Sequence, residues 1–254
     1  MKPVTVLISC RNRPLYLWAC LDSLYRLTTY PHRFICFDMC SDDPQVPSVI
    51  EGFRRRGMFA DIVFADRNDP RLITQYVMER LDDWSPYFVY IEADVVIEAS
   101  ANCWLAEMVA AMEARPRLAM LGSAIYQPDF VTPETAAPLA TRASPETLAK
   151  LIKQHSPERL QNATAADADG LFYPHNPAGR LLMLRPEAIR RVGLADDGEL
   201  NRRLRATGYE TAITARVVHR HLSLLHVFDY PDYDYNARDS YMVTGWVNPQ
   251  AASS

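Results

Sequence analysis

The sequence predicts a single Rossmann-like α/β domain with a mostly parallel central sheet flanked by helices. Short apolar runs of strand length alternate with helical patterns over residues 4–91. That alternation is typical of parallel sheets covered by helices on both faces. At 254 residues the chain is also long enough to bury one large hydrophobic core.

The first part of the chain supplies four predicted strands and three predicted helices. The strands are apolar or aromatic runs at 4–9, 33–38, 60–65 and 87–91. The helices have apolar residues at helical spacing, at 15–27, 46–56 and 72–81. Pro14 suits the first turn of the first helix, and Gly57 suits the end of the second.

The second part continues this order around an unusual segment. Its predicted helices lie at 102–112, 145–154, 186–192 and 200–206, and its predicted strands at 118–125, 179–184 and 211–218. Residues 127–176 are rich in Pro, Ala, Thr and Ser, with only one clear helical patch. Such a stretch inside a domain is more often a functional insertion than a structural necessity. We expect one domain over 1–225 and a Tyr- and Asp-rich tail at 226–254.

Composition narrows the classes of function. Hydrophobic residues make up 48% and charged residues 23% of the chain, with a net charge of -4. These values are typical of a globular protein and argue against charge-driven binding along nucleic acid. The arginines at 54–56 and 202–203 lie on helical patterns, where a solvated face is the favoured interpretation.

The sequence favours a cytoplasmic protein, with peripheral membrane contact left open. Its amino terminus resembles a signal peptide only superficially, and no apolar run approaches the length of a membrane helix. Five cysteines form an odd set without CxxC spacing. Reduced, mostly buried thiols are therefore favoured over a zinc site built from Cys36 and Cys40.

The motif with the most chemical content is Glu92-Ala93-Asp94, at the end of the apolar run 87–91. Residues two apart in a strand face the same side, so both carboxylates can point to the edge where open α/β sheets bind ligands. Carboxylates there can hold Mg²⁺ or Mn²⁺ against a diphosphate. An acid-x-acid pair is also common in ordinary turns, so this signal is weak by itself.

Three further features strengthen the interpretation of Glu92-Ala93-Asp94 as part of a ligand site. Asp38 ends the second strand, where it can accept a hydrogen bond from a base or ribose. His219 and His221 follow the last strand and can complete a metal site. Asp197 lies where a helix opens, and a carboxylate there can act as a general base. Each has a plainer interpretation as a turn residue, helix cap or buried histidine.

The order of these motifs is shared with a known family. The segments are VTVLISCRNRP at 4–14 before an apolar helix, FDMCSDD at 37–43, YIEAD at 90–94, and DDGEL at 196–200 followed by Arg203, Leu204, Gly208 and Tyr209. This order resembles that of the inverting family 2 glycosyltransferases, over roughly residues 3–125 and 176–222. The resemblance implies a glycosyltransferase A fold, with a nucleotide-sugar half at about 1–100 and an acceptor half at about 101–225.

The resemblance also implies roles for individual residues. The donor, a nucleotide-diphosphate sugar, is expected to contact Cys10, Arg11, Asn12, Arg13, Asp38, Asn68, Glu92, Ala93 and Asp94. The expected ligands of Mn²⁺ or Mg²⁺ are Asp94, Glu92, His219 and His221. Asp197 is expected to be the general base. Around the acceptor we expect Tyr173, His175, Asn176 and Asp196, although ordinary packing would explain the first three equally well.

The chain departs from the family pattern in three places, of which the mildest is Asp196-Asp197 where the family has Glu-Asp, a conservative change that keeps the expected base. Glu92 stands where the family has the first Asp of its DxD motif, and Asn68-Asp69-Pro70-Arg71 stands where the family has a Gly-rich helix start. The expected activity is inverting sugar transfer. The acceptor class stays open between a saccharide, a natural product, a peptide and a modified nucleobase.

Three alternatives to inverting transfer are kept. A retaining glycosyltransferase shares the fold and the acidic motif. A catalytically silent nucleotide-sugar or carbohydrate-binding relative would retain the site without turnover. A sugar-phosphate nucleotidyltransferase is disfavoured because it needs a Gly-rich phosphate loop, and residues 10–14 contain no glycine.

Overall fold

The computed structural model describes residues 2–141, 144–156, 166–174 and 180–222. The strands of this part form one nine-stranded sheet. They are β1 Val4–Cys10, β2 His32–Asp38, β3 Phe59–Phe64, β4 Phe88–Glu92, β5 Val95–Ile97, β6 Leu118–Ile125, β7 Leu171–Phe172, β8 Leu181–Leu184 and β9 Glu210–His221. Their order across the sheet is β3-β2-β1-β4-β8-β6-β9-β5, and β7 pairs with β9.

The helices cover both faces of this sheet. They are α1 Pro14–Leu27, α2 Gln45–Arg55, α3 Pro70–Arg80, α4 Trp104–Ala114, α5 Pro133–Ala136, α6 Pro145–His155, α7 Pro186–Val192 and α8 Asp197–Ala206, with short 3-10 turns at Leu81–Asp83, Gln127–Asp129 and Ala137–Thr141. One buried cluster joins α1, α2 and α4 to the sheet, and a second joins α3, α7 and α8. No described helix combines the length and apolar character of a membrane span.

The predicted α/β class with a mostly parallel sheet is confirmed. Strands β1 to β4 are parallel neighbours. Strand β8 is antiparallel to both β4 and β6, so β6 runs in the direction of β4, and β9 pairs parallel with β6. The carboxyl ends of these parallel strands therefore meet at one edge, together with the amino ends of β8 and of the following helices. This edge collects the chemically informative residues.

Helix starts at this edge are well defined by the local sequence. Pro14 and Pro70 occupy first-turn positions of α1 and α3. The side chain of Asp69 caps α3 by accepting from the backbone N–H of Arg71 at 3.0 Å, and Asp196 caps α8 in the same way. A proline in the first turn thus marks where α1 and α3 begin, and a short acidic side chain caps α3 and α8.

Three features of the sheet differ from the sequence-based expectation. The short strands β5 and β7 were not predicted, and β9 continues through the residues expected to follow it. Strand β9 can continue because β5 pairs antiparallel with its last residues, Val95 with His221 and Ile97 with His219. Three-residue strands carry too little periodicity to be recognised without their partners.

Candidate functional site

Two adjoining cavities open at the carboxyl edge of the sheet. The first, called here the Asp94 cavity, has a volume of about 350 Å³ and is lined mainly by residues 9–13, Asn68 and Glu92-Ala93-Asp94. The second, the Asp197 cavity, has a volume of about 610 Å³ and is lined in part by Arg180 and residues 194–197. Both cavities share the lining residues Pro70, Ile73, Tyr90 and Glu92. The fold therefore brings the predicted donor residues and the predicted base to neighbouring spaces.

The loop between β1 and α1 is held in place by Asn12. Both Asn12 and Arg13 have left-handed backbone conformations, each with φ of 54°. The Oδ1 of Asn12 accepts from the backbone N–H groups of Asp42 and Asp43, at 3.0 and 3.1 Å. Its Nδ2 is buried without a hydrogen-bond partner in the described part of the chain. Asn12 thus fixes the loop and retains one donor for a ligand.

Asp38 lies beneath this loop and is only 4% exposed. Its carboxylate accepts from the backbone N–H of Ser41 at 3.1 Å, from the Ser41 hydroxyl, and from the Cys10 thiol at 3.6 Å. A hydrogen bond with Cys36, together with burial, raises the pKa of Cys10, so that thiol is protonated. The structure assigns protein partners to Asp38, and the expected contact with a base or ribose stays a prediction.

The cysteines have the state expected from the sequence. All five are free, and Cys10, Cys20 and Cys36 are buried. Burial raises the pKa of Cys20 as well. Cys10, Cys20 and Cys36 therefore pack in the core as small residues.

Asp94 is a buried acid that faces an imidazole and a guanidinium group. It is 6% exposed, and its Oδ2 lies 3.4 Å from the His221 Nε2 and 3.5 Å from the Arg13 Nη1. Burial alone would raise the pKa of Asp94, but the imidazole of His221 and two nearby guanidinium groups hold it well below its usual range. Its Oδ1 is buried without a partner among the described residues. Asp94 is therefore an ionised carboxylate with one oxygen available to a cation.

The two histidines reach this place through a bulge in β9. The pairing of β9 with β6 shifts between Ser123 and Ala124, which face Thr214 and Val218 respectively. This irregularity redirects the end of the strand. His219 is fully buried, and its Nδ1 lies 2.7 Å from the Ser123 hydroxyl.

The two imidazoles differ in their surroundings. Burial, reinforced by the neighbouring His221, lowers the pKa of His219 to about 3, so its ring is neutral. The ring centroids of the two histidines are 6.5 Å apart. The His219 Nε2 has no hydrogen-bond partner in the described part of the chain. His221 directly faces Asp94, whereas His219 lies two residues earlier in β9.

Asp94 and the histidines fit a divalent cation whose remaining ligands come from the substrate. Within the described ranges, no set of three or more His, Cys, Asp or Glu side chains is arranged to hold a metal by itself. Asp94 and His221 are adjacent, and the Asp94 Oδ1 is unsatisfied. Mg²⁺ and similar cations are commonly held by one or two protein groups together with substrate phosphates. The residues present are therefore compatible with a cation bound jointly with a diphosphate.

Glu92 has a different partner from Asp94. Its carboxylate forms an ion pair with the Arg180 guanidinium, and its backbone N–H donates to the Arg180 carbonyl at 3.0 Å. The Glu92 and Arg180 side chains are 33% and 35% exposed. Burial raises the pKa of Glu92, and Arg180 only partly offsets that rise. Glu92 thus lies between the two cavities in an ion pair, and a metal contact from it stays a prediction.

Arg180 is the residue that sequence reasoning missed. It immediately precedes β8, whose antiparallel direction brings its amino end beside the carboxyl end of β4. The charges of Glu92, Asp94 and Asp197 raise the pKa of Arg180, Glu92 most strongly. Arg180 contacts Glu92 directly, and it lines the same cavity as Asp197. A lone arginine before a short strand carries no signal in the sequence, because its partners are distant along the chain.

Asp197 begins α8 and lines the second cavity. Its Oδ1 accepts from the backbone N–H of Gly198 at 2.8 Å. Asp196 accepts from the backbone N–H of Glu199 at 3.0 Å and therefore acts as the helix cap. Both acids line the cavity, but only Asp196 caps the helix.

The expected acceptor residues are only partly described. The Tyr173 hydroxyl accepts from the Arg115 Nη1 at 2.7 Å and donates to Asp167 at 3.3 Å. His175 and Asn176 lie outside the described residues. An acceptor contact of these three residues stays a prediction, as does one from Asp196.

A buried ion pair supports the end of β9. Asp129 is fully buried and accepts from the Arg220 guanidinium at 2.7 to 2.9 Å and from the His221 backbone N–H at 3.0 Å. It therefore ties the turn after β6 to the strand that carries His221.

Asp129→Ala is expected to lower the free energy of unfolding by about 2 kcal/mol, because it leaves the arginine and a backbone donor without an acceptor. The 29% exposure of the Arg220 side chain keeps the cost below that of a fully buried pair. Urea unfolding measures the change. Asp66→Ala, which removes the acid of an exposed ion pair with Arg67, is the matched control and should change stability by no more than about 0.5 kcal/mol. Equal effects of the two variants would contradict this role.

Comparison with solved structures identifies the fold. The structure of GalNAc-T7 with UDP, GalNAc and Mn²⁺ superposes with a TM-score of 0.59 at 11% identity, covering 87% of this chain and 44% of GalNAc-T7. The mannosyltransferase PcManGT from Pyrobaculum calidifontis, in complex with GDP-Man and Mn²⁺, gives a TM-score of 0.57 at 16% identity over 100% of this chain and 79% of that protein. S. aureus TarS 1-349 with UDP-GlcNAc gives 0.51 at 16% identity over 88% and 61%.

These similarities define an architecture and leave the activity to be argued. No protein-family model matches the sequence, and neither does any curated protein. The chain spans less than half of the GalNAc-T7 chain and less than two thirds of the TarS fragment. At such low identities the likeness concerns the fold alone, and the predicted glycosyltransferase A fold is confirmed.

Proposed function

We propose that this chain, which has the glycosyltransferase A fold, transfers a sugar from a nucleotide-diphosphate sugar to an acceptor hydroxyl with the help of a divalent metal. The observation that carries the proposal is the pair of adjoining cavities, with Asp94 in one and Asp197 in the other. A transferase needs a donor site and an acceptor site that meet where the sugar is transferred from the diphosphate to the acceptor hydroxyl. GalNAc-T7 and PcManGT, which share the fold, are described with nucleotides and Mn²⁺, and this supports the same donor class here.

In this proposal the Asp94 cavity binds the nucleotide diphosphate. The Asn12 Nδ2 is a buried donor available to a ligand oxygen. Arg13, at the amino end of α1, lines the cavity beside Asp94, and helix amino ends and guanidinium groups both favour phosphate. Asp94 and His221 would hold the cation, whose charge would neutralise the diphosphate as it departs.

The residues shared by both cavities would surround the transferred sugar. Tyr90 offers an aromatic face, and Glu92 offers a carboxylate held by Arg180. A carboxylate fixed in this way can accept hydrogen bonds from sugar hydroxyls. We therefore place the anomeric carbon near this boundary.

Asp197 would act as the general base in the Asp197 cavity. It would accept the proton of the acceptor hydroxyl while the hydroxyl oxygen attacks the anomeric carbon and the nucleotide diphosphate leaves with the bonding electrons. Attack from a cavity opposite the leaving group inverts the configuration. A retaining reaction on the same fold is the alternative, and the anomeric configuration of the product distinguishes the two.

The deciding experiment for the activity is donor hydrolysis, since a transferase without acceptor can pass the sugar slowly to water. A panel of UDP- and GDP-sugars is incubated with the protein and Mn²⁺, with and without EDTA, and nucleotide release is measured. Release that requires Mn²⁺ supports the proposal. Nucleotide binding without release under any condition would favour the silent binding relative, and absence of both would refute the donor site.

A further inference from the structure

An exposed apolar stripe runs along α1. Leu15, Trp18 and Tyr25 are 61%, 50% and 44% exposed, although the opposite side of the helix is buried in the core. Their spacing of three and seven residues places them on one helix face. Two large aromatic groups and a leucine in line form a patch, which is more informative than single exposed side chains.

The stripe continues into a basic surface at the end of α2. The Tyr25 ring lies 6.3 Å from the Phe53 ring, and the Arg56 guanidinium lies 5.2 Å from that same ring. The side chains of Arg54 and Arg55 are 60% and 77% exposed.

The end of α2 is net positive. A single carboxylate, that of Glu51, is shared by Arg54 and Arg55. Arg56 packs its guanidinium on a ring. This is a local reversal of charge in a chain whose net charge is -4.

We propose that the surface formed by this stripe and the basic end of α2, called here the α1–α2 face, binds the surface of an anionic lipid bilayer. Trp and Tyr side chains are suited to the interface between headgroups and acyl chains, and a leucine can enter the apolar layer. Arginines beside them would contact lipid phosphates. The combination of apolar insertion and positive charge matches a membrane surface better than a second copy of this chain, because a two-fold contact would bring the two basic patches together.

This orientation would bring the first cavity close to the membrane. Tyr16, next to Leu15 in the first turn of α1, lines the Asp94 cavity. With α1 lying on the bilayer, the mouth of that cavity would open near the headgroups. The inference rests on exposure and charge and is independent of the proposed sugar transfer.

The test is co-sedimentation of the full chain with vesicles of phosphatidylcholine, with and without phosphatidylglycerol. We expect binding to the anionic vesicles that weakens as salt rises. Leu15→Ser/Trp18→Ser should lower the partition coefficient by at least about tenfold. Arg55→Gln/Arg56→Gln should lower it by about fivefold for each arginine removed. These side chains are exposed, so the variants should remain folded, which thermal melting checks.

Matched controls separate this face from a general effect of surface substitution. Phe64 is 58% exposed on β3, and the Arg117 side chain is 72% exposed before β6. Phe64→Ser and Arg117→Gln should leave vesicle binding unchanged. Loss of binding in these controls equal to that in the α1 variant would overturn the proposal.

Other occupants of the face give other results. Concentration-dependent dimerisation that Leu15→Ser/Trp18→Ser abolishes, without vesicle binding, would assign the face to self-association and overturn the proposal. Absence of vesicle binding in the wild type, with Trp18 protected from acrylamide quenching, would indicate that the chain itself covers the stripe and would equally overturn it. Quenching of Trp18 by brominated lipids in the bound state would support insertion of the stripe.

Discussion

Asp197→Asn is expected to lower the rate of sugar transfer by about 10²- to 10⁴-fold, the usual contribution of a positioned general base. The amide has the shape of the carboxylate but cannot accept the acceptor's proton. Because Asp197 lines only the second cavity, nucleotide binding in the first should stay within about twofold of the wild type. The measurements are Mn²⁺-dependent turnover of the best donor and calorimetric titration with UDP or GDP.

The matched control for this prediction is Asp82→Asn. Asp82 lies in the 3-10 turn that precedes β4, at the opposite edge of the sheet, and its side chain is 87% exposed. This variant should retain full turnover. If Asp197→Asn also retained it, Asp197 would lose the role of base, and a retaining mechanism would become the better explanation.

Asp94→Ala should have the largest effect on donor binding. We expect the Kd of UDP or GDP in the presence of Mn²⁺ to rise about 100-fold, equivalent to about 2.7 kcal/mol, because the cation would lose its carboxylate and the diphosphate would lose the cation. Titration with Mn²⁺ present and with EDTA measures both affinities. Without metal, the variant and the wild type should bind the nucleotide about equally weakly, so the difference between the proteins should appear only with Mn²⁺.

A second substitution guards this test against a change of fold. Asp94→Asn preserves the volume of a side chain that is almost completely buried and should weaken Mn²⁺-dependent binding in the same direction. Arg117→Gln, in a side chain that is 72% exposed and precedes the amino end of β6, serves as a control of unchanged affinity. An Asp94→Ala protein that is folded and binds nucleotide with Mn²⁺ as tightly as the wild type would exclude Asp94 as a metal ligand.

The elements of the fold were largely predictable because each has a strong local signal. The apolar runs of β1, β2 and β4 and the helical spacing of α1 and α7 placed these elements to within a few residues. Where prediction failed, the local signal was weak. Strands β5 and β7 contain three and two residues, and such short segments become strands only when β9 lies beside them.

In the candidate site, too, residues with a local sequence signal were predictable and contacts between distant residues were not. The sequence singles out Asp94, His219 and His221 because acids and imidazoles at the ends of apolar strands form a recognisable pattern. It singles out Asp197 because that acid opens a helix within an order of motifs that resembles a known family; their roles stay predictions. The ion pair between Glu92 and Arg180 was not predicted. Those two residues meet because β8 is antiparallel to β4, and a strand direction cannot be derived from either residue alone.

The sequence by itself determined which segments form strands and helices and which edge of the sheet carries the acids, because apolar periodicity and helix caps act over a few residues. Only the tertiary structure decided that His221 is the imidazole facing Asp94, that Glu92 lies in an ion pair between two cavities, and that the stripe on α1 continues into the basic end of α2. These relations depend on strand register, a bulge in β9 and helix packing, which bring together residues far apart in the chain.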